Sequence, residues 1–318
     1  MHPAKSVIAF TTATGAGYGL LIFMIALNMA GLLPSDATFA LLGFGLAFAM
    51  ISAGLMASTF HLGHPERAWR ALTQWRSSWL SREGVMAIFA YGPTGLYGLV
   101  WYMSPETLAT PLMMAVGLVG IVSCLITVYC TSMIYASLKA IFSWANSWVP
   151  ASYLVLSLMT GALLCDLFAY AFGFSTTVLD IAVLVLLAAG LLVKLGYWKY
   201  VAQTVNPTTP ETAIGLPTAQ GGKVRVLESS HTEDNYLLKE MGFAVARKHA
   251  AKLRMIAIVA GFVAPVFLVW CSSILSDSIA VYPLYSAVFV CAVGIVVERW
   301  LFFAEAKHAV MMYYGENS

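Results

Sequence analysis

Of the 318 residues, 60% are apolar and only 10% are charged, against roughly 45–50% and 25% in an ordinary soluble protein. A chain so poor in charge cannot cover a water-facing surface, which excludes a soluble domain. The net charge of +2 is uninformative as a sum and informative only through its placement.

About 20 apolar residues at helical rise cross the ~30 Å of hydrocarbon in a bilayer. Runs of that kind lie at 7–31, 37–60, 84–103, 111–137, 150–172, 178–200, 254–275 and 282–304. The first, from Val7, has the length of a span and no small-residue cleavage pattern before Gly31, so it is not expected to be a removed signal. Gly15, Gly17 and Gly19 give it a small-residue face for close helix packing. Pro34-Ser35-Asp36, Ser104-Pro105-Glu106 and Val149-Pro150 punctuate the runs. Pro93 is expected to kink the third span. Lipid offers no partner to a bare backbone amide, so each span must be a helix. The expectation is an all-α transmembrane bundle of about eight helices, one domain over 1–318. Two hydrophilic segments interrupt it, 61–83 and 201–253. The second opens on Asn206-Pro207-Thr208-Thr209-Pro210 and ends in an amphipathic helix over 235–253.

Charge placement gives an orientation. The loops after spans two, four and six share a side with both termini. That side carries Lys5, Arg67, Arg70, Arg76, Arg82, Lys139, Lys199, Lys223, Arg225, Lys239, Arg247, Lys248, Lys252, Arg254 and Lys307. Lys194 and Arg299 lie toward the same ends of their spans. The opposite loops hold Asp36, Glu106 and Asp277 and no Lys or Arg. Basic residues stay in the cytoplasm, so both termini and both hydrophilic segments are predicted to be cytoplasmic, in a bacterial inner membrane.

The stretch His61–Glu83 carries the chemistry. His61 ends span two and Glu83 begins span three, with Ser81 placed to cap it. Facing each other across a short turn at the membrane surface, an imidazole and a carboxylate could bind and protonate a quinone headgroup. The plainer alternative is a helix-end histidine and a carboxylate favoured by the helix dipole. Arg67 and Arg70 could balance negative charge on the headgroup, bind an acidic partner, or simply hold the loop inside. Trp69, Trp75 and Trp79 could wall a pocket or form an interfacial aromatic belt.

The residues His61, Leu62, Gly63, Pro65, Arg67, Ala68, Ser78, Leu80, Ser81 and Glu83 follow the pattern H-L-G-x-P-x-R-A and S-x-L-S-x-E at fixed distance. In this the chain resembles the membrane-anchor family of the DMSO reductase type. That resemblance implies a molybdopterin catalytic subunit and an iron–sulfur subunit as partners. It also implies a bound quinone, ubiquinone or menaquinone, at His61 and Glu83. The predicted cytoplasmic site, with Glu233-Asp234-Asn235-Tyr236-Leu237 and Lys239-Glu240-Met241-Gly242-Phe243 in the long loop, is more similar to the sulfite dehydrogenase anchors of this family. The implied activity is then sulfite oxidation in the partner coupled to quinone reduction here. The alternatives are a DMSO reductase-type anchor oxidising menaquinol, or a transporter.

Rival chemistries leave weaker traces. The five cysteines form no C-x-x-C, so no iron–sulfur cluster is expected in this chain. None of the six histidines lies mid-span, so no haem is expected. No nucleic-acid partner is expected, and membrane lipid is. A transporter would use midplane polar groups, of which Asn28, Asp166 and Lys194 are the candidates. Asp166 and Lys194 could pair or sit at opposite ends. A proton pump needs a buried acid–base path, and the spans read as too poor in carboxylates for one.

Overall fold

A computed structural model describes residues 4–60, 63–174, 177–204, 209–216, 224, 227–228 and 245–314. Helix α1 is Lys5–Met29, α2 Ala37–Thr59, α3 Trp79–Met103, α4 Pro111–Ala136, α5 Trp148–Ala171 and α6 Thr177–Gln203. Helix α7 is continuous over 245–274: Val245–Ile258, a π-helical turn Val259–Val263, then Ala264–Ile274. Helix α8 is Asp277–Ala304. Among the described residues there is no strand, only a bridge between Ile141 and His308. Seven of these helices are long and apolar enough to cross a membrane. The exception is α3, which has 25 residues but dilutes its apolar run with Gly92, Pro93, Thr94, Gly95, Tyr97 and Gly98.

Several ends follow from their caps. Asp36 accepts from the Phe39 amide at 2.6 Å to start α2, and Thr110 with Pro111 at the first helical position starts α4. Helix α3 starts at Trp79, earlier than the apolar run suggests, and its cap is Ser78 rather than the expected Ser81. The stretch 245–253 is not a separate surface helix but the first turns of α7. The rest of that expected helix, 235–244, lies outside the described residues.

Helix α1 sits at the centre, packed on α2, α4, α5 and α8. Helix α3 lies outside against α2 and α4, while α6 and α7 cover the other flank through α5 and α8. The glycines of α1 explain its position. A Cβ on Gly19 would run into the Ser157 carbonyl and Gly161 of α5, so the two backbones touch only because both residues are glycine. The Ser157 hydroxyl donates to the Gly15 carbonyl at 2.6 Å across the same crossing. Gly17 meets Ile51 of α2 in the same way. Leu41, Leu42, Ile88, Phe89, Leu192 and Phe289 point outward, which in a membrane places them against lipid.

The helix ends near residues 4, 60, 79, 136, 148, 203, 245 and 304 gather at one end of the bundle, the basic end. There the segment 137–147 crosses over the interior. Trp144 donates to the Phe302 carbonyl at 3.0 Å and stacks on its ring, and Ala309 donates to the Ala140 carbonyl at 2.9 Å.

Candidate functional site

The sequence motif folds into a surface ramp leading to a buried acid. His61 and Leu62 lie outside the described residues. After them a 3₁₀ helix spans Pro65–Gln74 with no buried residue. Ser81, 2% exposed, donates its hydroxyl to the Ala71 carbonyl. It therefore ties the ramp down onto α3. Arg82 does the same from its other side, donating to the carbonyls of Trp75 at 3.0 Å and Arg76 at 2.7 Å.

Glu83, one turn inside α3, is only 4% exposed. Its Oε1 accepts from the Thr131 hydroxyl of α4 at 2.5 Å. The titratable groups within electrostatic reach are Tyr18 on α1, Cys130 and Tyr135 on α4, and Tyr153 on α5. Glu83 thus faces the interior of the bundle rather than water, and no Lys or Arg pairs with it among the described residues.

The other motif residues do not converge on Glu83. Arg67 is half exposed, with Nε 3.7 Å from Glu66. Arg70 lies over the ring of Trp69, 5.6 Å from its centroid, and that indole is itself 63% exposed. These three side chains face outward. Trp75 and Trp79 part company with Trp69. With Arg76, Arg82, Val85, Met86, Ile126, Tyr129 and Cys130 they line an open apolar groove of about 490 Å³ between α3 and α4. Arg82 sits 4.2 Å over the Trp79 ring, which meets Tyr129 edge-on.

A second set of buried charges brings together residues that the sequence shows only singly, and their pairing was not foreseen. Lys194 of α6 and Glu298 of α8 form an ion pair of 2.5 Å, both at about 1% exposure. Arg299 holds Nε 3.4 Å from the other oxygen of Glu298 and its guanidinium 3.9 Å over the Tyr153 ring. Asp166 does not pair with Lys194. It stands toward the opposite end of α5, in electrostatic reach of Asp180, whose Oδ2 accepts from Tyr170 at 3.2 Å. Asn28 accepts from the Tyr97 hydroxyl at 2.7 Å, a contact between helices. The expectation that the spans are too poor in carboxylates is therefore corrected: Glu83, Asp166, Asp180 and Glu298 are all buried. Sequence could have raised the alarm on the Glu298-Arg299 pair, since charges inside an apolar run need partners. It could not have named Lys194, over 100 residues away. Among the described residues no cluster of His, Cys, Asp and Glu could hold a metal.

A basic ramp pinned over a buried carboxyl, on a bundle with seven helices long and apolar enough to cross a membrane, describes a multi-pass membrane protein with a buried acid near one end. Residues 1–305 match the family described as the DMSO reductase anchor subunit, DmsC, and this chain belongs to that family. It is also 33% identical to a sulfite dehydrogenase subunit of Allochromatium vinosum over 338 aligned positions, covering 99% of each chain. No solved structure matches. The chain is thus a membrane anchor of a redox enzyme complex, one subunit of an oxidoreductase.

Proposed function

We propose that this chain is the quinone-reducing subunit of a sulfite-oxidising complex, with the basic end in the cytoplasm. The observation that carries the proposal is the buried Glu83, hydrogen-bonded to Thr131 directly beneath the pinned motif segment. The similarity to a sulfite dehydrogenase subunit supports the choice of sulfite. In the partner subunits, sulfite and water give sulfate, two protons and two electrons at a molybdopterin centre, and iron–sulfur clusters carry the electrons onward. Quinone accepts two electrons and two protons to become quinol. This chain contributes the protons and the seat. Glu83 holds a proton where bulk water does not reach, and His61 is the second donor. Ser81 fixes the ramp, and with it the distance between surface and acid. The groove of Trp75, Trp79 and Tyr129 beside Glu83 offers an apolar bed for a prenyl tail. Arg67, Arg70 and Trp69 face outward and suit contact with the iron–sulfur subunit, since Arg and Trp are favoured interface anchors.

The test compares wild type with Glu83→Gln and His61→Ala in membranes carrying the intact complex at matched assembly. The expected result is loss of sulfite-linked quinone reduction while dye-linked sulfite oxidation persists. Quinol oxidation with DMSO, and no activity on sulfite, would retain the anchor and replace the substrate.

A further inference from the structure

The proposed function leaves the Lys194–Glu298–Arg299 charges inside the basic end without a role. Burying an ion costs several kcal/mol before pairing, and ionisable groups within a membrane default to function. Between the Lys194–Glu298–Arg299 cluster and Glu83 lies a polar cavity of about 20 Å³. Thr12, Thr131, Tyr153, Thr160 and Arg299 are among its walls. A water needs at least about 10–15 Å³ by this measure, so the cavity suits one water and is far too small for a quinone ring. The Thr12 hydroxyl, the Tyr153 hydroxyl and Nη1 of Arg299 are buried without a hydrogen-bond partner among the described residues. A water makes two to four such bonds. On one wall, Thr131 donates to Glu83. On the other, Arg299 bridges Tyr153 and Glu298, its guanidinium 3.9 Å over the Tyr153 ring and its Nε 3.4 Å from the Glu298 carboxylate. Lys194 and Arg254 share the face of Trp198, 5.3 and 5.7 Å from its ring centroid, and the partly exposed Arg254 pairs with Glu305 at 2.9 Å. Polar groups therefore follow one another from the surface of the basic end to the buried acid.

We infer that Glu305, Lys194, Glu298, Tyr153, one cavity water and Thr131 form a proton-uptake path to Glu83. The inference rests on the proposed role of Glu83 as proton donor. A proton enters at Glu305 and is exchanged through the Lys194 ammonium to Glu298. Tyr153 passes its hydroxyl hydrogen to the water and takes one from Glu298. Thr131 gives its hydrogen to Glu83 and takes one from the water. One proton moves inward per cycle and no electron moves. Arg299 stays protonated, as guanidinium does, and acts as a positioning residue for Glu298 and the Tyr153 ring. The path explains how an acid sealed from water by the ramp regains its proton after each turnover.

The test uses the intact complex in lipid nanodiscs with Tyr153→Phe and with the double variant Lys194→Met/Glu298→Gln. The double variant keeps the buried charge balance, since Lys194, Glu298 and Arg299 sum to +1, as Arg299 does alone, and its assembly is matched to wild type before the measurement. After a pH jump, the Glu83 carboxyl band is followed by infrared spectroscopy and assigned by its loss in Glu83→Gln. Protonation of Glu83 is expected to slow by about a hundredfold or more in both variants, the lower range for removing a proton-transfer group. A second readout is reduction of a short-chain ubiquinone analogue, with kcat falling, KM unchanged, and partial rescue by a small weak acid. Protonation of Glu83 at the wild-type rate in both variants overturns the path. If the infrared rates fall as expected while wild type reduces no quinone, the path stands and the functional reading falls.

Discussion

The two ends of the bundle bury carboxylates by opposite means. At the basic end each has a specific partner: Glu83 has Thr131, Glu298 has Lys194 and Arg299, and Glu305 has Arg254. At the far end Asp166 is fully buried, and among the described residues no cation pairs with it. Its polar company is Asp180 and Tyr170, both close to the helix ends. What separates the ends is the company kept: cations and a threonine hydroxyl at the basic end, a second carboxyl and a tyrosine at the other.

The sharpest break of this comparison is functional. Glu83→Gln should lower quinone reduction about a hundredfold or more, in the range of general acid catalysis. Asp166→Asn should leave it within about twofold. Equal losses, measured as quinone-linked against dye-linked turnover, would show that both ends serve the same reaction. The next contrast is in stability. Lys194→Ala leaves Glu298 facing only Arg299 in the interior, and breaking a buried pair costs about 3–5 kcal/mol. Thermal denaturation in detergent should therefore show a lower Tm for Lys194→Ala. Asp166→Asn replaces a buried carboxyl that no cation among the described residues pairs and should change Tm little or raise it. Gly19→Ala is expected to lower Tm at either end alike, because α1 and α5 must part to admit the Cβ, an overpacking cost of about 1–3 kcal/mol.

The smallest effect concerns the C-terminal strap outside the spans. Burial holds the His308 imidazole below its usual range, and its Nδ1 accepts from the Val310 amide at 3.1 Å. A folded pKa below the unfolded one means that the contribution is present above about pH 6.5 and is lost as pH falls through the folded value. The protection of the Val310 amide, taken as its exchange rate relative to the intrinsic rate at the same pH, should fall as pH drops below about 6.5 in the wild type. The same shift in His308→Gln would assign the effect to another group.

Much of the site was legible along the chain because its parts are local. The ramp, Ser81 and Glu83 fall within about 20 residues, and helical geometry puts Glu83 one turn inside α3 whatever the rest of the fold does. Even so, the role given to Ser81 changed. The sequence places it where a cap belongs, and only the packing of the ramp shows its hydroxyl turned to Ala71 instead. Trp69, Trp75 and Trp79 look alike in the sequence, but the ramp sends the first outward and the other two into the groove.

By itself the sequence determined the material of the molecule. Lipid leaves an apolar segment no choice but a helix, so composition and run length settled the all-α class, and the local motif settled where an acid meets the surface. Tertiary structure decided which helices touch. Helix–helix contact in a membrane turns on small residues and side-chain fit rather than on apolar periodicity, and a run apolar on all sides does not say which side faces inward. That is why Gly19 against Gly161, Glu83 against Thr131, and Lys194 against Glu298 appear only once the helices are packed.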